Sequence, residues 1–347
     1  MHAMVFHGPG NTSWEEIPDP TIQQGTDVIV RVDAVTICGT DLHILKGDVP
    51  EVSAGRVLGH EAVGTVTDVG SAVRTLQAGD RVLISCISAC GSCRFCREGR
   101  YGQCLDGGGW ILGHLIDGTQ AELVRVPFAD TSTYRIPAGL TDEQMLMLAD
   151  ILPTSYEVGV RNGRVEPGDV VVIIGAGPIG LAAVLTARLY SPGRIVVVDV
   201  ADNRLEAAHK LGADIVINSR TTDVRDAVAA ITDGLGADVA MEAVGVPETF
   251  ELAVALVRPG GRVANIGVHG APATLHLENV WIRDLTITTG LVDTSTTPTL
   301  IRLVQTGQLD PAALVTHRFG MHEFPAAYDV FARAQETDAL KVVVSRT

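Results

Sequence analysis

Short runs of alternating or continuous apolar residues, broken by Gly, Pro and Asp, fill the first 150 positions. DVIVRV, EAVGTVTDVG, DRVLIS and AELVRVP predict β-strands, and little of the intervening sequence repeats at helical spacing. Strands of this length with frequent turns predict a small, partly open barrel. From Asp169 the rhythm changes. VVVIIGAG, RIVVVD, DIVIN, DVAMEAVG, RVANIG and LTITTGL alternate with helix-patterned stretches such as PIGLAAVLTARLY, DNRLEAAHKLG, VRDAVAAITDG and PETFELAVALV. Strand and helix in alternation predict βαβ units and a doubly wound parallel sheet, an α/β fold. After about residue 292 isolated elements return, ending in the strand-like LKVVVS. The expected organisation is a unit of residues 152–291 inserted between the two parts, 1–151 and 292–347, of another. The stretch Val170–Ala187 is apolar enough for a membrane span, but Gly175, Gly177, Pro178 and Gly180 divide it into strand, turn and helix.

Charge narrows the partners. A net charge of -15, with no Lys/Arg cluster, argues against a phosphate-backbone partner, so no nucleic acid is expected. The opening MHAMVFHGPG lacks a basic segment followed by an apolar one, so no secretory signal is read, and a cytoplasmic protein away from membranes is expected.

Six residues, Gly175-Ala176-Gly177-Pro178-Ile179-Gly180, follow a buried-type strand and open a helix. In that context the glycines read as a dinucleotide loop. The first permits a tight turn, the second lets backbone approach a pyrophosphate, and the third lets helix pack on strand. The helix N-terminus offers free N–H groups to phosphate. Asp199 ends the next strand, where a carboxylate accepts hydrogen bonds from a ribose diol and repels a 2′-phosphate, which favours NAD over NADP. Arg204, close behind, is placed to stack on adenine. Val244, Gly245, Gly267 and Val268 end sheet strands on the ligand-binding edge of such a sheet. Leu291 and Val292 are candidates for the nicotinamide side, and Lys341 for a pyrophosphate contact.

Cys90, Cys93, Cys96 and Cys104 stand in the spacing C-x2-C-x2-C-x7-C, within a lobe of residues 86–105. Four thiolates on short Gly- and Ser-containing loops make a closed tetrahedral zinc site, which staples a lobe and does no chemistry. Other donors lie apart from it: Cys38 in C-G-T-D-L-H, His60 and Glu61 in G-H-E, and Asp150 between apolar runs. Thiolate, imidazole and carboxylate form a mixed set that leaves zinc an open position. Each of these residues alone reads as well as packing.

The combination of Cys38-Gly39-Thr40-Asp41, Gly59-His60-Glu61, the cysteine lobe and GAGPIG resembles the zinc-dependent medium-chain alcohol dehydrogenases in order and spacing, over nearly the whole chain. The resemblance implies a GroES-like catalytic domain, a Rossmann NAD-binding domain and two zinc ions per chain. Cys38, His60 and Asp150 are then the catalytic-zinc ligands, in the branch that carries Asp at the third position, with Glu61 an intermittent fourth. Such an ion acts as a Lewis acid on an alcohol oxygen while hydride passes to nicotinamide. Thr40 would hydrogen-bond the substrate oxygen and His43 receive the proton further out, while Trp110 matches a pocket tryptophan of related bacterial enzymes. Expected substrates are secondary or other small alcohols and their carbonyl partners. A polyol, butanediol or threonine dehydrogenase is the alternative on the same scaffold, and a non-catalytic nucleotide-binding protein a third reading. Family members are dimers or tetramers, commonly through pairing of the last sheet strands, here near Leu285–Leu291.

Overall fold

Val170–Ile174, almost wholly buried, lies inside a six-stranded sheet in the computed structural model, which describes residues 1–346. Across the sheet the strands run Ile215–Asn218, Arg194–Asp199, Val170–Ile174, Ala237–Glu242, Val257–Asn265 and Thr286–Thr289, all parallel. Numbered along the chain this is 3-2-1-4-5-6, the doubly wound order whose switch point falls between the first and fourth strands. Helices Pro178–Ala187, Asp202–Lys210, Val224–Ile231 and Pro247–Leu256 connect successive strands. Parallel strands covered on both faces need continuous Val and Ile, and Val172, Ile174, Val196, Val198 and Val263 supply the core.

The apolar stretch from Val170 resolves into that strand, a turn, and a helix with proline in its first turn. The helix is apolar all round because nearly every side of it is buried. Among the described residues no helix is long and apolar enough to cross a membrane. Helix Ile151–Thr154 continues into a π-helical stretch, Ser155–Arg161, that the apolar pattern does not announce. A Cβ on Gly159 would stand 2.8 Å from Ile266 Cδ1, so the wider helix lies directly against the sheet.

Met1–Asp150 and Val292–Thr347 form one unit, Ile151–Leu291 the other. In the first, Val28–Thr36 is the hub strand. It pairs antiparallel with Ala62–Val69, Leu123–Val126 and Lys341–Ser345. Arg81–Ile84 joins Ala62–Val69 to Thr133–Arg135, and Val315–Gly320 adds in parallel to Lys341–Ser345. Val30, Val32, Val35, Val66, Val82, Ile84, Val342 and Val344 fill the interior. A second sheet, the hairpin His2–Gly8 with Asn11–Glu16 plus Arg56–Val57, buries Met4, Val5 and Phe6 in strands beyond those the apolar runs predict. The hub strand shifts register between Val32 and Ala34. Such a bulge bends the strand shortly before it delivers Cys38.

Candidate active site and metal centres

Cys38 leaves the hub strand and caps the helix Gly39–Lys46. Its N–H donates to Asp41 Oδ2 at 2.9 Å, which sets the first turn. Gln120 Nε2 donates to the same oxygen at 2.9 Å, and the Tyr328 hydroxyl donates to Gln120 Oε1 at 2.7 Å. All three of these supporting side chains are buried. Asp41 lies inside a motif legible in the sequence, but Gln120 and Tyr328 carry no local signal.

Four ligand atoms, one each from Cys38, His60, Glu61 and Asp150, lie within 4.8 Å of one another. The Cys38 thiol donates toward Asp150 Oδ2 at 3.8 Å, and His60 Nε2 stands 3.3 Å from the same oxygen. His60 is 4 % exposed and Glu61 fully buried, so water screens neither. Burial pushes the Cys38 thiol up, with the His60 hydrogen bond opposing. For His60 burial works downward, but the hydrogen bonds with Asp150 and Cys38 prevail and hold the imidazole well above its usual value. A thiol, an imidazole and two carboxylates crowded together in a dry space fit one divalent cation, and the S, N, O donor set suits zinc.

Lys341 corrects one expectation. Its side chain is 1 % exposed and its Nζ donates to both oxygens of Glu61 at 3.0 Å and to Ile37 O at 3.2 Å. Its strand pairs with the hub strand, and the lysine lies in the interior beside Glu61. All three ammonium protons are engaged, so none is left for a pyrophosphate. Burial lowers the Lys341 ammonium, but the Glu61 charge outweighs it and the net shift is upward. Glu61 is thereby at once a member of the ligand cluster and half of a buried ion pair.

The Thr40 hydroxyl accepts from the Cys38 thiol at 3.6 Å. His43 follows on the same helix, half exposed, with Nδ1 2.9 Å from Asp48 Oδ2. Trp110 stands edge-on to His60, ring centroids 6.3 Å apart, and stacks on His114 at 4.1 Å. His114 belongs to no short motif, and its position four residues after Trp110 is its one signal in the sequence.

Sγ atoms of Cys90, Cys93, Cys96 and Cys104 also converge within 4.8 Å, and all four thiols are free. Backbone N–H groups surround them. Cys90 N–H points at Cys104 Sγ (3.4 Å), Cys93 N–H at Cys90 Sγ (3.3 Å) and Leu105 N–H at Cys93 Sγ (3.5 Å). The N–H groups of Leu105 and Cys96 draw the Cys93 thiol down to about 6, whereas burial pushes Cys96 up to about 12. Donors aimed at sulfur stabilise thiolates, the form that binds zinc.

In the other unit Gly175 adopts φ +98, and a Cβ there would lie 2.7 Å from Val244 Cγ2. A Cβ on Gly180 would reach 1.8 Å from Gly175 O, while one on Gly177 would meet nothing within 4 Å. The loop is closed behind and open in front. Asp199 Oδ2 accepts from Ala176 N–H at 2.7 Å, and Oδ1 from Val200 and Ala201 N–H at 2.7 and 2.9 Å. The carboxylate that ends the second strand therefore also ties down the loop that follows the first. Arg204 follows in the helix Asp202–Lys210 with its Nε buried and unpartnered. Val244 and Val268 are exposed, as is Leu291, whereas Val292 is only 3 % exposed and belongs to the first unit's core.

Residues 178–306 match the zinc-binding dehydrogenase family model, and residues 24–138 the GroES-like domain of alcohol dehydrogenases. An alcohol dehydrogenase of Cupriavidus necator is 40 % identical, covering 99 % of this chain and 98 % of its own. Zinc-dependent alcohol dehydrogenase 2 from Streptococcus pneumonia superposes with TM-score 0.96 at 47 % identity, covering 100 % of this chain and 98 % of that one. An alcohol dehydrogenase of E. coli CFT073 complexed with NADH superposes with TM-score 0.90 at 28 % identity, over 99 % of both chains. With two converging ligand clusters, a doubly wound sheet and relatives matched end to end, this chain belongs to the zinc-dependent medium-chain alcohol dehydrogenases.

Proposed function

We propose that this enzyme oxidises small, largely apolar alcohols with NAD and reduces the matching carbonyls with NADH. The observation that carries the reading is the buried convergence of Cys38, His60, Glu61 and Asp150 beside Thr40. Cys38, His60 and Asp150 would hold the catalytic ion, with Glu61 retained by Lys341. Zinc bound there supplies Lewis acidity that makes an alcohol proton easier to lose. Thr40 would orient the alcohol oxygen and relay its proton, taking it up as its own hydroxyl proton is passed on, and His43, half exposed on the same helix, would receive the proton further out and release it to water. Trp110 walls the pocket. Following NADH absorbance over a panel of primary and secondary alcohols tests the reading, and no turnover with any of them would overturn it. A diol or polyol is the second reading. Trp110 Nε1 and His114 Nε2, both buried without partners, favour a substrate with a further hydroxyl. A panel containing diols separates the two.

NAD is preferred because of Asp199. A 2′-phosphate about 4 Å from its carboxylate would be repelled by roughly 4 kcal/mol at an effective dielectric of about 20. Asp199→Gly removes that repulsion, and also the three backbone hydrogen bonds that brace the glycine loop. The NADP-to-NAD ratio of kcat/KM should rise by about 10²-fold or more, mostly through loss of NAD activity. A parent that prefers NADP, or a ratio that does not move, would show that Asp199 faces no ribose.

Among the described residues, Thr286–Thr289 has a strand neighbour on one side only. Close to it in sequence Trp281 and Ile282 are 74 % and 70 % exposed. An open edge beside bare aromatic and aliphatic surface suits a second copy of the chain. Light scattering should give a dimer or tetramer for the parent and a smaller species for Trp281→Glu. A monomeric parent at micromolar concentration would remove this assignment.

A further inference from the structure

Glu242 ends the strand Ala237–Glu242 with its side chain fully buried. Its Oε1 accepts three hydrogen bonds: from the N–H of Val244 at 2.7 Å, the N–H of Gly245 at 2.8 Å and the hydroxyl of Thr249 at 2.8 Å. These close the turn into the helix Pro247–Leu256. The second oxygen, Oε2, is equally buried and makes no hydrogen bond to any of the described residues. Leaving a carboxylate oxygen dry and unpaired is expensive, so its placement calls for a reason.

Oε2 points across to the loop that follows the neighbouring strand, Val257–Asn265. It lies 3.4 Å from His269 Nε2, and a Cβ on Gly267 would come within 2.4 Å of it. His269 Nε2 is also 2.9 Å from Asn265 Oδ1, while Asn265 Nδ2 donates to Gly267 O at 2.9 Å. With the amide nitrogen of Asn265 so used, its oxygen is the acceptor, and His269 carries its proton on Nε2. That proton faces Asn265 Oδ1 with Glu242 Oε2 close behind. Phe250 meets the imidazole edge-on at 6.2 Å and fixes the ring plane. The two loops also touch directly, since a Cβ on Gly245 would stand 2.3 Å from Val268 O.

We propose that Glu242, clasped to His269, is a positioning residue that holds loops 243–246 and 266–270 at the separation coenzyme binding requires. The inference rests on the reading of Val244, Gly245, Gly267 and Val268 as coenzyme-lining, and adds what sets their spacing. Glu242 itself touches no coenzyme. Val244 and Val268 are exposed at the loop tips, so side-chain burial does little to order them, and the buried carboxylate beneath does that work instead. Neither Glu242 nor His269 stands in a short motif, and only the pairing of the two strands brings them together.

The test compares Glu242→Ala, Glu242→Gln, His269→Ala and Asp199→Gly with the parent, reading the NADH Kd by fluorescence titration together with kcat, KM, zinc content and Tm. Glu242→Ala orphans the N–H groups of Val244 and Gly245, whereas the Thr249 hydroxyl keeps Val246 O at 2.9 Å, and it should raise Kd and the KM for NAD by about 10-fold or more, with kcat less changed. Glu242→Gln keeps an acceptor oxygen for those donors at nearly the same size, so Kd should stay within about 3-fold of the parent. His269→Ala should fall between. If Glu242→Ala does not fold, His269→Ala decides. A parent-like Kd in the alanine variants while Asp199→Gly weakens NADH would overturn the clasp and leave the coenzyme site standing. Parent-like binding in all of them would overturn the coenzyme site itself. Equal losses of kcat and zinc content, without a change in Kd, would also overturn the clasp.

Discussion

Replacing Cys93 or Cys104 by serine should remove one of two zinc ions and lower the melting temperature steeply. The four thiols converge on one point, and the backbone around them is already turned to donate to sulfur. Residues 86–89 at its start are buried, but beyond them the lobe has only two helices of one turn each, Arg94–Arg97 and Tyr101–Gln103, in which Cys96 is the buried residue. Metal binding to such a segment is folding free energy, of the order of 10 kcal/mol for a four-thiolate site near neutral pH. Serine does not ionise at that pH and would leave three thiolates facing one another. Cys38→Ser and Asp150→Ala should behave in the opposite way, with activity lost and Tm less affected. Metal analysis and calorimetry on the same preparations separate the two classes. One zinc or none in unchelated parent protein would sink the two-site assignment.

Thr40→Ala should slow alcohol oxidation by about 10²-fold or more while coenzyme Kd stays at the parent value. The hydroxyl lies 3.6 Å from the Cys38 sulfur, its one side-chain hydrogen bond among the described residues, so its loss should leave the helix folded. Thr40→Ser retains the proton acceptor and should recover most of the rate. His43→Ala should have a milder effect that added buffer partly restores, because the half-exposed imidazole stands where water can replace it. Parent rates in Thr40→Ala would show that the proton leaves by another route.

Much of this site was legible because its chemistry is spelled in short motifs. The glycine loop, the cysteine lobe and C-G-T-D place their donors within a few residues, so local spacing was enough to find them. What the sequence hid was pairing over long range. Lys341 and Glu61 are 280 positions apart, and a lone lysine on a strand reads as solvated or ligand-facing until its strand is placed beside Ile37. The same holds for Gln120 and Tyr328, which meet across 208 positions to brace Asp41. Asp199 ends its strand as the sequence pattern predicts, but its grip on Ala176 has no local signal, because strand order across a sheet is a global property. The π-helical stretch Ser155–Arg161 has no periodicity of its own to betray it.

The strand Lys341–Ser345 sits between Val28–Thr36 and Val315–Gly320, hydrogen-bonded on both sides. During synthesis, then, the hub strand emerges from the ribosome some 300 residues before its partner, as the Thr36 hydroxyl bonded to Val342 O across 306 positions illustrates. Until that late segment arrives, Ala34–Thr36 has an unfilled edge and Lys341 is missing from beside Glu61. The sheet of residues 170–289 contains no strand from the late segment and is free to form first. Ribosome stalling or truncation shortly before Lys341 should therefore leave a product with a folded nucleotide domain and an incomplete barrel, a natural substrate for chaperones or proteases.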